Sequence, residues 1–185
     1  GLKVVLPSGA YDAKGLLIQS IRDNDPVMFC EHKMLYGEEE EVPEESYQIP
    51  LGEARVVREG SDVTVVALGR MVHLAVEAAG ELEEQGISVA VIDPRTISPL
   101  DVDTILDSVE ETGRVVVVDE ATPICSMASE IASMIVSDGF SSLRAPIRKV
   151  TAPHTPVPAS PVLEAGYAPT AASIREAVEA VYNYR

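Results

Sequence analysis

The sequence predicts an α/β fold: a mostly parallel sheet with helices on both faces. Two observations carry it. Between Ser61 and Glu120, three runs rich in β-branched residues (63–68, 88–92 and 115–118) alternate with two helical segments. Each helical segment repeats apolar residues at three- and four-residue spacing: Val72, Ala75, Val76, Ala79 and Leu82 in the first, Val102, Ile105, Leu106 and Val109 in the second. Near-continuous Val and Ile runs mark strands buried on both faces, and strands separated by helices pair in parallel through right-handed crossovers. Such a unit fixes a fold class and leaves function open.

Taken in order, residues 2–6 read as a strand and Pro7-Ser8-Gly9 as a turn. A helix over about 11–22 follows, with Ala13, Leu16, Leu17, Ser20 and Ile21 on one face, and Asp23-Asn24-Asp25-Pro26 ends it. Residues 27–31 form a second short strand, so this opening run is a parallel unit but only a fragment of a sheet. From Gly37 to Pro50 the composition turns to glutamate and proline, which cannot build a core and predicts an exposed, extended linker. Residues 53–59 read as an edge strand with charges among valines. After the central unit, Ser126 is placed to cap a helix over about 127–137, and 147–150 is a further strand. A proline-rich loop over 152–161 is suited to crossing a surface or a subunit contact. Thr170 then caps a terminal helix running to about Tyr182.

The chain has 185 residues and a net charge of −16, which disfavours nucleic acid, because phosphate binding needs basic surface. Acidity of this degree fits either a high-salt organism or an acidic solvated surface. No apolar run is long enough to cross a bilayer and nothing resembles a signal peptide. Two cysteines, Cys30 and Cys125, make no disulfide framework, so a cytoplasmic protein is expected. The chain begins at Gly1 and enters a strand at once, which reads as a piece cut from a longer protein.

No metal pattern, glycine-rich nucleotide loop, phosphate loop or hydrolase elbow occurs. Gly69-Arg70-Met71-Val72-His73 follows the first central strand, where folds of this class place ligand loops. Gly69 there either frees amides for an anion or simply makes the turn, with His73 packed on the first helical turn. Cys125 precedes a helix, with His154 as a conceivable base; an inert thiol is the commoner outcome. Cys30 is read as core. Asp119 and Glu120 face opposite ways, so they suit a salt bridge or a helix cap rather than a catalytic pair.

Several ordered blocks carry a family resemblance: Leu2-Lys3-Val4-Val5-Leu6-Pro7-Ser8, Asp12-Ala13-Lys14-Gly15-Leu16-Leu17, Glu31-His32-Lys33-x-Leu35-Tyr36, Gly69-Arg70-Met71-Val72 and Ile92-Asp93-x-Arg95-Thr96-x-Ser98-Pro99-Leu100-Asp101. Together they resemble the β subunit of thiamine-diphosphate-dependent 2-oxo acid dehydrogenases. Cys125-Ser126-Met127-Ala128 is similar to the acetoin dehydrogenase branch, where pyruvate and branched-chain relatives tend to carry glycines. The resemblance implies that residues 1–36 are the tail of a pyrimidine-binding domain, 37–50 an acidic linker, and 51–185 a transketolase C-terminal-type, three-layer domain. It implies a heterotetramer with an α subunit and a second β subunit, docked on a dihydrolipoyl acyltransferase core. Thiamine diphosphate and magnesium would lie between α and β, with none expected on this chain alone. No catalytic, cofactor-binding or metal residue is assigned. His32, Tyr36, Arg70, His73, Asp93, Arg95 and Glu120 match family motifs and are read as folding or interface residues, with Arg95 expected to pair with Asp93 or Asp101. The rival readings are a fragment of a transketolase or deoxyxylulose-phosphate synthase, and a non-enzymatic interaction domain.

Overall fold

A computed structural model describes residues 1–184. Its main sheet has five strands in the order β3-β5-β4-β7-β8. These are β3 (Arg55–Arg58), β4 (Val63–Ala67), β5 (Val89–Asp93), β7 (Val115–Asp119) and β8 (Arg148–Thr151). All neighbours pair in parallel except β3, which runs antiparallel to β5 at one edge. Helix α2 (Met71–Glu83) carries the chain from β4 to β5 on one side; α3 (Val102–Thr112) returns it to β7 on the other. The chain therefore changes direction between β4 and β7, the crevice where this class of sheet opens a cleft at its strand ends.

The valine runs build two cores because successive strand residues face opposite ways. Val63, Val65, Ala67, Val89, Val91, Val116 and Val118 pack with α2 and the terminal helix α6 (Ala171–Tyr182). Val66, Ile92, Val115 and Val117 pack with α3 and α4 (Met127–Asp138). Each fully buried Val or Ile contributes roughly 1.5–3 kcal/mol relative to exposure. Thr64 is fully buried among them, and its hydroxyl is satisfied by Ser108 and by Thr112 at 2.8 Å. The N-caps Ser126 and Thr170 are those the sequence predicts. Ser126 accepts from Ser129 N, Thr170 and Ser173 form a capping box, and Gly113 ends α3 in the left-handed conformation.

A second, three-stranded sheet has the order β2-β1-β6. Its β1 (Lys3–Val5) and β2 (Val27–Phe29) are the predicted parallel pair joined by α1 (Ala10–Arg22). Its third strand was not expected. The segment β6 (Thr96–Ser98) leaves the end of β5 and pairs antiparallel with β1, so the main domain supplies a strand to the first segment. In α1, Leu16 is fully buried whereas Leu17 and Ile21 are exposed, narrowing the predicted apolar face. Cys30, read as core, lies just beyond β2 and is half-buried.

The predicted linker is extended and mostly exposed, but it is tied along α1 as a strap. Glu40 Oε2 accepts from Tyr11 N at 2.8 Å, and Lys14 Nζ donates to the Pro43 and Glu44 carbonyls. Tyr47 stacks on Tyr11 with ring centroids 4.6 Å apart, and Ile49 is buried against Leu16 and Val5. One unpredicted helical turn, α5 (Pro161–Glu164), begins at the last residue of the proline-rich stretch. Among the described residues no helix is long and apolar enough to cross a membrane.

Candidate functional site

The sequence-predicted residues fall into two groups, one at the seam between the two sheets and one at a cleft beside it. At the seam, Asp93 ends β5 with its side chain fully buried. Its Oδ1 accepts from Arg95 N at 2.9 Å and its Oδ2 accepts from the Ser8 hydroxyl. Burial pushes the Asp93 carboxyl up to about 6; the Ser8 and Arg95 donors oppose that rise, and the nearby Asp12 charge adds to it.

Arg95 holds a left-handed backbone, φ 57°, between β5 and β6. Its side chain reaches across the seam: Nη1 donates to Asp12 Oδ1 at 3.0 Å, Nε to Glu53 O at 3.0 Å and Nη2 to Ala54 O at 3.2 Å. Its carbonyl accepts from Leu6 N at 2.8 Å. The expected partners, Asp93 and Asp101, are thus corrected to Asp12, for two reasons. Asp93 is engaged by the Arg95 backbone and by Ser8, and Asp101 caps α3 while accepting from Ala54 N at 2.7 Å. For Asp101, burial works upward but is outweighed by the Ala54 and Thr104 donors, which hold its carboxyl below the usual value.

Asp12 is fully buried in α1 and also accepts from Arg55 Nη1 at 3.3 Å. His73 joins the seam from the first turn of α2, its Nε2 donating to Ser8 O at 2.6 Å. Gly69, at φ 54°, makes the turn before it, and the Leu6 side chain lies 3.3 Å from where a Cβ would stand. Gly69 thus makes the turn, while His73 is exposed apart from its bond to Ser8 O. Asp12, Ser8 and Arg55 were missed from sequence. The available signal was Asp12 itself, a carboxylate one turn before Leu16 on the buried stripe of α1.

The second group lines a cleft of about 800 Å³ at the β4–β7 crevice, with Met34, Leu74 and the start of α6 contributing. His32 Nε2 lies 2.7 Å from Glu120 Oε2, while its Nδ1 accepts from Met34 N at 3.2 Å. Of Asp119 and Glu120, Glu120 is the residue that meets His32. Asp119, facing the other way, accepts from Ala121 N and from Ala128 N in the first turn of α4. Arg70 is half-buried in the cleft. Tyr36 lies beside it, exposed, its hydroxyl donating to Glu31 at 3.1 Å, a contact that raises the phenol above its usual value. Cys125 is exposed at φ 55°. Both groups join residues 1–50 to the main domain; the hydroxyl–carboxylate pair they contain, Ser8 and Asp93, is buried in the seam.

A doubly covered, mostly parallel sheet with one antiparallel edge and a cleft at its switch point defines a three-layer α/β domain. Residues 52–174 match the transketolase C-terminal domain, and the chain belongs to that family. It is 59% identical over 177 residues to the acetoin:2,6-dichlorophenolindophenol oxidoreductase subunit beta of Cupriavidus necator, covering 96% of this chain and 52% of that protein. The subunit of the same name from Bacillus subtilis is 56% identical over 170 residues, covering 92% and 50%. The pyruvate dehydrogenase E1 component subunit beta of Bacillus subtilis is 53% identical over 161 residues, covering 86% and 50%. The chain spans about half the length of the curated relatives it matches. Among solved structures, a split-gene transketolase in an inactive β4 tetramer superposes with a TM-score of 0.82 at 27% identity, covering 98% of this chain and 57% of that one.

Proposed function

We propose that the chain is part of the β subunit of a thiamine-diphosphate-dependent dehydrogenase, the decarboxylating first component of an acetoin- or pyruvate-type complex. The observation that carries this reading is the 59% identity to an acetoin oxidoreductase β subunit across nearly the whole chain. The lower 53% identity to a pyruvate dehydrogenase β subunit favours acetoin as substrate.

On this reading residues 1–36 close a pyrimidine-binding domain, 37–50 are the strap, and 51–185 form the C-terminal domain. The subunit works in a tetramer with an α subunit and a second β subunit, and passes an acyl fragment to a dihydrolipoyl acyltransferase core. Thiamine diphosphate and magnesium supply the carbon–carbon bond cleavage when bound between α and β. The residues named above are read as holding the fold and a subunit surface rather than that group; among the described residues no three His, Cys, Asp or Glu side chains are grouped around one metal-sized site. Their work is to position. Arg95, Asp93 and His73 fix the seam, while His32, Glu120, Arg70 and Tyr36 shape the cleft and its rim as a surface for a neighbouring subunit.

The test is to co-purify the full gene product with its α subunit and add thiamine diphosphate and magnesium. Reduction of 2,6-dichlorophenolindophenol is then followed with acetoin and with pyruvate. Faster reduction with acetoin is the expected result. Reduction with neither substrate, or failure of the two subunits to co-purify, overturns the reading.

A further inference from the structure

The five-stranded sheet ends on β8, and the side of β8 away from β7 is open. Ala152 N, just past β8, donates toward β7, to Ala121 O at 3.2 Å. Successive residues of a strand turn their backbone groups to alternate sides. Arg148 and Val150 therefore bond toward β7, while Lys149 and Thr151 present their N–H and C=O groups to the open edge. An unpaired edge of this kind is a template for another strand.

A groove of about 710 Å³ runs beside that edge, between β8 and α6. Its α6 wall carries Ser173, Ala177 and Ala180, small side chains that leave room for a neighbouring backbone. The charge is opposite to that of the chain as a whole. Arg148 and Lys149 line the groove against one carboxylate, Glu176, in a chain of net charge −16. Lys149 turns to α4, where its Nζ donates to Ser129 Oγ at 2.8 Å and to Pro123 O at 3.1 Å. Arg148 lies on the α6 face with Val150, exposed and without an ion-pair partner among the described residues.

We infer that the open edge of β8 accepts an extended, acidic segment of a partner protein as a sixth strand. Main-chain bonds to Lys149 and Thr151 supply the pairing, and alternate carboxylates of the incoming segment meet Arg148, the mode in which peptides extend an exposed sheet edge. A second copy presenting its own β8 would bring a second Arg148 to the same short edge, adding like charge where the acidic segment adds opposite charge. The inference stands on β8 alone and does not depend on the dehydrogenase reading.

The experiment uses the whole chain, amide NMR and two synthetic probes, acetyl-Glu-Val-Glu-Val-Glu-amide and its counterpart with lysine for glutamate. The acidic probe is expected to slow exchange at the Lys149 and Thr151 amides and to bind about fivefold or more tightly than the basic one. Arg148→Glu is expected to reverse that preference. Thr151→Pro removes an N–H on the open side, leaves the β7 ladder intact, and is expected to abolish binding. Circular dichroism checks that each variant is folded; if Thr151→Pro is not, Arg148→Glu decides. Three results overturn the inference. If neither probe protects Lys149 and Thr151, Arg148 serves only to keep the edge unpaired. If binding persists in folded Thr151→Pro, or the charge preference survives Arg148→Glu, the segment is held elsewhere.

Discussion

Arg95 and Asp12 lie 83 residues apart in the chain and 3.0 Å apart in the fold. Their ion pair joins a helix of the first segment to the turn between β5 and β6, with Asp12 fully buried and the Arg95 side chain 11% exposed. The same turn sends β6 onto β1. The two sheets are therefore held by a shared strand and a buried charge pair at one place.

Removing one partner of a buried pair leaves the other charge without compensation. Arg95→Ala strips Asp12 of its closer arginine and frees the Glu53 and Ala54 carbonyls. The expected loss is about 3 kcal/mol of stability, read by urea denaturation. Arg95→Lys is expected to recover only part of it, because an ammonium cannot span the aspartate and two carbonyls as the guanidinium fork does.

Asp93 gives the seam a pH dependence. Its carboxyl titrates near 6 in the fold against 3.8 in the unfolded chain, so the folded state holds the proton more tightly. Its contribution is fully present below about 4 and is lost as the pH rises through about 6, on the order of 3 kcal/mol in all. Asp93→Asn is expected to remove that slope, so the stability difference between variant and parent should change between pH 5 and pH 7.5. Asp101 contributes in the opposite sense: its lowered carboxyl stabilises above the unfolded value and loses that effect as the pH falls.

The strap depends on a close approach at Gly15. A Cβ there would stand 2.6 Å from Ile49 Cγ1 and 2.7 Å from the Tyr47 ring. Gly15→Ala is expected to destabilise the chain by about 1–3 kcal/mol, the range for overpacking, despite the better helix propensity of alanine. Limited proteolysis should then cut faster within residues 38–45.

Much of this was legible in the sequence, for a physical reason. The valine runs of β4, β5 and β7 bury both faces of each strand, so composition alone identifies them. Ser126 and Thr170 announced helix starts because their roles are local. The seam was less legible because its parts are remote from one another. Thr96-Ile97-Ser98 becomes a strand only through β1, and α5 is four residues long. Arg95 was noticed and given the wrong partner, since adjacency favoured Asp93 and Asp101 over a residue on another helix. Leu17 and Ile21 look like core by spacing, yet the described fold leaves them exposed.

The shared strand makes one claim that outranks the rest: residues 1–50 and the five-stranded domain unfold together. Native-state hydrogen exchange across a urea series tests it by comparing Leu6 and Cys30, which bond to the Arg95 and Val5 carbonyls, with Leu68, which bonds to Val118. A single unit predicts that all three amides merge into one global opening with the same urea dependence. If Leu6 and Cys30 exchange through a separate, lower-energy opening while Leu68 stays protected, the seam is a loose contact and the account of Arg95 and Asp12 fails.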